Sequence, residues 1–452
     1  METKRSSFTN KLGFVLAAAG SAVGLGNIWR FPYLAAKYGG GIFLLVYIAL
    51  SVTFGFSLMI AEVAIGRKTK LSAIRAYGSL DKRFSFVGIL CSLVPVIILP
   101  YYSVIGGWVM KYMFGFAMGH TSQMAQNAYF DGYLGLVGEP ILWFLLFIGI
   151  TALVVLIGVE KGVEKISKIM MPILIVLILF IVVYTIVTMD GAWDGVVYYL
   201  KPDFSKFSLM TVVAAMGQLF YSMSLAMGIM ITFGSYMKRE ISIEKSVKQI
   251  EIFDTGVAFL AGLMIIPAVF AFSGGNEAAL GQGPGLMFVT LPKIFDTMPG
   301  GAVVGAAFFV MVFFAALTSS ISLMETVVSI FMDKLKLGRK MSILAVLGIS
   351  LVLGLVSSLG YSSWADIKVL GMQFLDFFDF FSNSLLMPVV ALVTSIFVGF
   401  VLKPKTVIEE VELTEKFNSK RLFTVVIRYV APVCILIILG SSILSAFGIV
   451  SI

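Results

Sequence analysis

Residues 18 to 32, Ala-Ala-Gly-Ser-Ala-Val-Gly-Leu-Gly-Asn-Ile-Trp-Arg-Phe-Pro, set Gly20, Gly24 and Gly26 in an apolar run that Asn27 and Arg30 close. Each glycine lowers helix propensity by about 1 kcal/mol, so the run does not read as a plain membrane helix. Where a helix breaks at membrane depth, its freed carbonyls and amides are tolerated only where they line a cavity or meet a ligand. The chemistry on offer is oxygen ligation of a cation and capture of a charged solute. A second run, Gln218-Leu-Phe-Tyr-Ser-Met-Ser-Leu-Ala-Met-Gly228, crowds Ser222, Ser224, Ala226 and Gly228 into another apolar segment, and Thr318 and Ser319 are adjacent in a third. The ordinary role of such hydroxyls is to bond back to their own helix. Arg30, Glu62, Asp254 and Asp379 also fall in apolar surroundings, where a lone charge is costly and a partner or cavity is the usual solution.

The elements that must position these residues are membrane helices. The chain has 452 residues, 59% hydrophobic and 13% charged, with a mean hydropathy of +1.00, which excludes an ordinary soluble domain. Apolar runs long enough to cross about 30 Å of hydrocarbon recur throughout. We expect segments one to eleven near 12–36, 41–66, 86–118, 140–158, 165–188, 209–237, 249–273, 300–331, 341–359, 367–401 and 422–448, within a single domain over 1–452. A signal peptide is the competing reading of the start, since Lys4, Arg5 and Lys11 precede small residues at 17–22. The chain then continues as more membrane, which argues against processing.

The net charge of +8 encodes topology rather than nucleic-acid binding. Segment 67–83 holds six Lys or Arg against one acid, 333–340 four against one and 403–421 five against four, whereas 119–139 holds none. By the positive-inside rule the N-terminus is cytoplasmic and the C-terminus extracytoplasmic, in a plasma (inner) membrane. Cys91, Cys434 and the single His120 offer no zinc or disulfide spacing. No nucleophile and base pair suggests an enzyme. Gly281-Gln-Gly-Pro-Gly285 reads as a turn without a ligand role.

Interrupted helices opening two five-helix halves, about 12–188 and 209–401, point to a transporter built as an inverted repeat. The eleventh segment lies outside both halves. The three motifs together, Gly20 to Pro32, Gln218 to Leu225 and Thr318-Ser-Ser-Ile, resemble the neurotransmitter:sodium symporters over residues 5 to about 400. The inverted-repeat rule was itself drawn from that family. The eleven-segment form is similar to its bacterial amino-acid carriers, the leucine transporter among them.

The resemblance implies an all-α fold of eleven transmembrane helices, segments one and six unwound, that imports a neutral, hydrophobic L-amino acid with two sodium ions by alternating access. The first sodium would be held by the Ala22 carbonyl, Asn27, Ser222, Asp254 and the substrate carboxylate. The second would be held by the carbonyls of Gly20, Val23 and Ala315 with the hydroxyls of Thr318 and Ser319. The substrate carboxylate would meet the amides near Leu25 and Gly26, at the positive end of a half-helix, and Tyr102. Its ammonium would meet Ala22, Tyr221 and Ser224. Ile98, Tyr102, Tyr221, Met227, Ser319 and Leu323 would wall the side-chain pocket, which Ser21 and Ser222 also border. Ordinary interfacial packing is the alternative for the two tyrosines.

Arg30 and Asp379, for which a mutual ion pair is the usual solution, resemble the family's outer gate. Arg5, Ser235, Tyr236 and Asp333 resemble its inner network, with Phe8 where many relatives have tryptophan, which predicts looser inner packing. Glu62 would accept amides of the unwound part of segment six. Gly162 and Pro172 resemble an element that lets segment five unwind and admit water to the second sodium, though a Pro near a helix start is common anyway. No role is assigned to Asp376 or Glu325.

Two departures touch the pocket. Ser21 stands where the leucine carrier has asparagine, and Ala226 replaces the first glycine of a Gly-x-Gly found in many members. A β-carbon at 226 fills space and restricts the backbone, which disfavours the largest substrates. Animal relatives bind chloride beside the first sodium, at positions matching Tyr47, Gln218, Ser222 and 258. Position 258 is Ala here, and Asp254 would supply the charge, so no chloride is expected. A buried acid is costly once its cation leaves, so Asp254 would take up a proton on the return step. The competing class is a membrane amino-acid receptor that binds without transport. Gates on both sides favour alternating access. Beyond the bilayer and the solute no obligate protein partner is inferred.

Overall fold

The computed structural model describes residues 6–276 and 283–446. Regular structure among them is helical, the β contribution being two isolated bridges, Gly40 to Pro202 and Val369 to Met372. Among the described residues nine helices are long and apolar enough to cross a membrane: Gly41–Thr69, Lys82–Ala117, Gly138–Ile157, Val159–Thr188, Ile243–Ser273, Gly301–Leu335, Arg339–Leu359, Phe374–Val401 and Lys420–Leu444. They are segments two to five and seven to eleven. Val183 and Val187, 60% and 77% exposed, belong to the outward faces that such a bundle turns to lipid.

Segments one and six are the broken ones. Lys11–Ala22 and Gly26–Lys37 meet at a 55° bend and together pass as one further span. Asn10 caps the first piece, its Oδ1 accepting from the Gly13 amide at 2.9 Å. In segment six Ser208 and Thr211 form a capping box on Leu209–Ser222, the backbone leaves the helix, and Ile229–Tyr236 resumes it. Ser224, Ala226 and Gly228 all have positive φ, 53°, 60° and 72°. Neither half of segment six passes as a span alone, so the predicted count of eleven depends on taking 209–236 as one crossing.

Segments three and eight make the most extensive helix pair. The second half of segment six packs almost as closely on segment two, because Gly66 faces the backbone of Ile231: a Cβ there would lie 1.9 Å from the Ile231 carbonyl oxygen. Small residues at such interfaces let helices approach to backbone contact.

Several boundaries differ from expectation. Segment five begins with a wide turn, Val159–Glu164, which places Gly162 against the Val154 carbonyl. Segment seven begins six residues early at Ile243, where Ser242 accepts from the Lys245 amide. Segment ten begins at Phe374, because residues 367–373 are taken up by the Val369 to Met372 bridge and the positive φ of Leu370 and Gly371. Of the expected turn at 281–285, residues 281 and 282 lie outside the described residues; from Gly283 the chain enters a wide turn, Leu286–Thr290. Helices in the connections, Ala73–Leu80, Ala192–Leu200 and Lys403–Glu412, carried no sequence signal strong enough to be read.

Candidate functional site

The two breaks face one another across a cavity of about 30 Å³. All twelve residues predicted to contact a substrate line it: Ser21, Ala22, Leu25, Gly26, Ile98, Tyr102, Tyr221, Ser222, Ser224, Met227, Ser319 and Leu323. Gly24, Asn27 and Ile229 complete the wall. Such a volume holds about two water molecules, so an amino acid enters only when the walls part. Tyr221 is packed directly on Gly26, where a Cβ would stand 2.3 Å from its ring. Met227, Ile229, Ile98 and Leu323 contribute apolar wall, while Ser224 Oγ donates to the Ser21 carbonyl at 3.0 Å. The Leu25 amide points at the Tyr102 hydroxyl, 3.5 Å away.

Three of the four residues predicted for the first sodium bond to one another. Asn27 Nδ2 donates to Asp254 Oδ1 at 2.8 Å and Ser222 Oγ at 3.0 Å, and Ser222 Oγ donates to Asp254 Oδ1 at 2.6 Å. Tyr47 closes the cluster, its hydroxyl 3.3 Å from both Ser222 Oγ and Asp254 Oδ2. Asn27 and Asp254 are fully buried, and Ala22, the fourth, lines the cavity with Asn27 and Ser222. For a cation to sit among these oxygens the Asn27 amide must present Oδ1 in place of Nδ2. Gln218 Nε2 holds the Gly26 carbonyl at 3.0 Å and thereby fixes the edge of the break.

At the second predicted sodium position the adjacent hydroxyls behave differently. Ser319 Oγ points across to segment one, 3.3 Å from the Gly20 carbonyl, 3.1 Å from that of Ser21 and 3.3 Å from that of Val23. Thr318 Oγ1 bonds back to Phe314 and Ala315 of its own helix, at 2.9 and 3.2 Å. Its β-carbon nonetheless packs against Gly20. A hydroxyl that back-bonds to the Ala315 carbonyl remains beside a predicted ligand.

The residues expected at the two gates have the following partners. Arg30 and Asp379 do not form the direct ion pair that was predicted. Arg30 lies over the Tyr221 ring, 5.7 Å from its centre, and Asp379 accepts from Tyr101 OH at 3.1 Å and Asn383 Nδ2 at 2.6 Å. Each charge therefore has its own neutral partners, a π face for the cation and two donors for the acid. Asp376 accepts from the Tyr361 hydroxyl at 3.0 Å.

At the inner end Arg5 lies outside the described residues, while Asp333 accepts the Ser72 amide at 2.6 Å. Glu325 acquires partners there, the Tyr236 hydroxyl at 2.8 Å and Arg339, whose guanidinium also reaches the Val155 carbonyl. The looser inner packing expected from Phe8 is not found. Phe8 is fully buried and meets Phe14, Phe233 and Tyr236 edge-on at 5.6, 5.5 and 6.2 Å. Glu62 accepts the Ala226 amide at 2.7 Å, as expected for the unwound segment. Glu164 escaped notice in the sequence: its Oε2 accepts the Thr9 amide at 2.8 Å and its side chain fills the space beside Gly13. An acid opening an apolar segment was the available signal.

The comparisons with known proteins agree with this geometry. The chain is 34% identical over 445 residues to the uncharacterized sodium-dependent transporter YhdH of Bacillus subtilis, covering 97% of each. It is 25% identical over 460 residues to the human sodium- and chloride-dependent GABA transporter 2, covering 90% of this chain and 75% of that one. The crystal structure of MhsT in complex with L-phenylalanine superposes with a TM-score of 0.87 at 35% identity, covering 97% of this chain and all of that one. The sequence profile of the sodium:neurotransmitter symporter family matches residues 5–129 and 128–449. With broken helices facing across a lined cavity and similarity along nearly its whole length, the chain is a multi-pass membrane transporter and belongs to the sodium:neurotransmitter symporter family.

Proposed function

We propose that this sodium-coupled symporter imports a neutral, apolar L-amino acid with two sodium ions and without chloride. The observation that carries the reading is the meeting of two unwound backbones with Asn27 and Ser319 at a cavity walled in part by Ile98, Met227, Ile229 and Leu323, Asp254 being bonded to Asn27. Unwound carbonyls and hydroxyls suit sodium, and half-helix N-termini suit a carboxylate. The bound L-phenylalanine of the MhsT structure supports an apolar amino acid for a site on the same fold. Asp254, buried beside Ser222 and Tyr47, would supply the negative charge that chloride brings to animal relatives. Taking 209–236 as one crossing gives eleven spans in two five-segment halves plus one. The cytoplasmic N-terminus rests on the basic loops. The receptor reading gains nothing, since the relatives compared are transporters.

The test is uptake of labelled amino acids into proteoliposomes under a sodium gradient. Leucine, valine, methionine or phenylalanine should accumulate and compete with one another, with tryptophan competing less well. Uptake that persists when choline replaces sodium contradicts the coupling, and accumulation led by charged amino acids contradicts the substrate class.

A further inference from the structure

A groove of about 510 Å³ opens on the flank of the bundle between segment two, segment seven and the start of segment eleven, apart from the central cavity. Lys248, Ser419, Ile48 and Phe259 are among the residues that line it. Val52 and Ile252 in its wall are 50% and 71% exposed, so the groove opens toward lipid. Segment two makes a wide turn beside it, Ser51–Gly55, and such turns inside helices recur at functional sites. On segment seven Gly256 leaves the groove open, since a Cβ there would meet nothing within 4 Å.

One acid stands in this wall. Glu251 is 5% exposed, its Oε1 accepts from Ser51 Oγ at 3.1 Å, and Ser51 also shares a hydrogen bond of 3.1 Å with Thr255. Among the described residues Oε2 has no hydrogen-bond donor. The neighbouring base is committed elsewhere: Lys248 Nζ sits 2.7 Å from Glu244, which also accepts from Ser419 Oγ at 2.9 Å and the Asn418 amide at 3.0 Å. Segments two and eleven add only Ile48, Ser51, Val52, Phe56, Ser419 and Leu422 to the lining, none of them ionisable. Two acids thus face one base. A buried acid at membrane depth calls for a cationic partner, and among the described residues Glu251 has only the Ser51 hydroxyl.

We propose that the groove binds a membrane-partitioned amphipathic amine, with its protonated nitrogen on Glu251 and its apolar body along Val52, Ile252 and Phe259. Charge complementarity selects this occupant: Lys248 is held by Glu244, so an anionic head would meet the Glu251 carboxylate without a free cation to receive it, and a bare acyl chain would leave Glu251 unused. The site is independent of which solute the central cavity carries.

The test uses the full-length protein in lipid nanodiscs, with empty nanodiscs subtracted and radiolabelled decylamine, decanol and decanoate as cationic, neutral and anionic probes. Decylamine should be retained saturably at about one per chain, decanol and decanoate should not, and Glu251→Gln should weaken decylamine retention at least tenfold. Gly256→Phe, whose ring projects into open space rather than packed core, should block retention by filling the groove. Equal retention of decanol or decanoate would assign the groove to lipid chains and overturn the proposal. Wild-type decylamine retention in either variant would overturn it as well.

Discussion

At the scale of residues, the two proposed sodium positions differ in how their ligands are already directed. Ser319 Oγ meets three carbonyls of segment one, whereas Thr318 Oγ1 is spent on its own helix. A hydrogen bond involving a charged group contributes about 1.5–3 kcal/mol, and 1.4 kcal/mol is tenfold in affinity. Ser319→Ala should therefore raise the half-saturating sodium concentration about tenfold or more, with Thr318→Val the milder of the two. Equal effects, read from sodium titrations of uptake, would show that Thr318 leaves its back-bond to ligate. At Asp254 the expectation concerns anions. Replacing chloride with gluconate should leave wild-type uptake intact, and Asp254→Asn should be chloride-stimulated or inactive. Wild-type uptake that collapses in gluconate removes Asp254 from the role of chloride substitute.

At the scale of elements, the break in segment six holds an alanine where glycine would be at ease. Ala226 sits at φ 60°, its amide on Glu62 and its carbonyl facing the Cys91 thiol. A left-handed residue with a β-carbon costs roughly 1–2 kcal/mol, and glycine returns part of that as conformational entropy in the unfolded chain. Ala226→Gly should raise thermal stability by up to about 1 kcal/mol and improve competition by larger side chains. A lower melting temperature, or an unchanged order of competitors, would show that the methyl group neither strains the break nor narrows the pocket.

At the scale of the whole molecule, the end of the bundle that carries the basic loops is tied by a buried pair between distant parts of the chain. Arg67, at the end of segment two, is fully buried; its Nε reaches Glu410 Oε1 at 2.8 Å and its Nη1 the Ile241 carbonyl at 2.8 Å. The helix Lys403–Glu412 is thereby fastened to segment two and to the connection before segment seven. Removing one member of a buried pair costs about 3–5 kcal/mol, whereas replacing both with apolar residues is often neutral. Arg67→Ala should lower the unfolding temperature in detergent sharply, and Arg67→Met with Glu410→Leu should recover most of it. Comparable stability of the single variant and the parent would mean that the strap is held by its other contacts.

The positions of the membrane segments and the two interruptions were legible in the chain, because apolar runs and glycine act locally, whereas the residues around the cavity were legible only through the family resemblance. Long runs become helices in hydrocarbon wherever they occur, and Gly20, Gly24, Gly26 and Gly228 weaken the helix at their own positions. What a polar side chain faces is decided by docking. Thr318 and Ser319 are neighbours, yet one bonds its own helix and the other a segment about 300 residues earlier. Arg30 and Asp379 looked like a pair, but Tyr221, Tyr101 and Asn383 take them separately. Glu325 and Arg67 found partners only once segments nine and ten and their loops had packed. Local composition fixes where a helix forms and where it fails, and the lowest-energy partner of a buried polar group depends on every helix brought within reach of it.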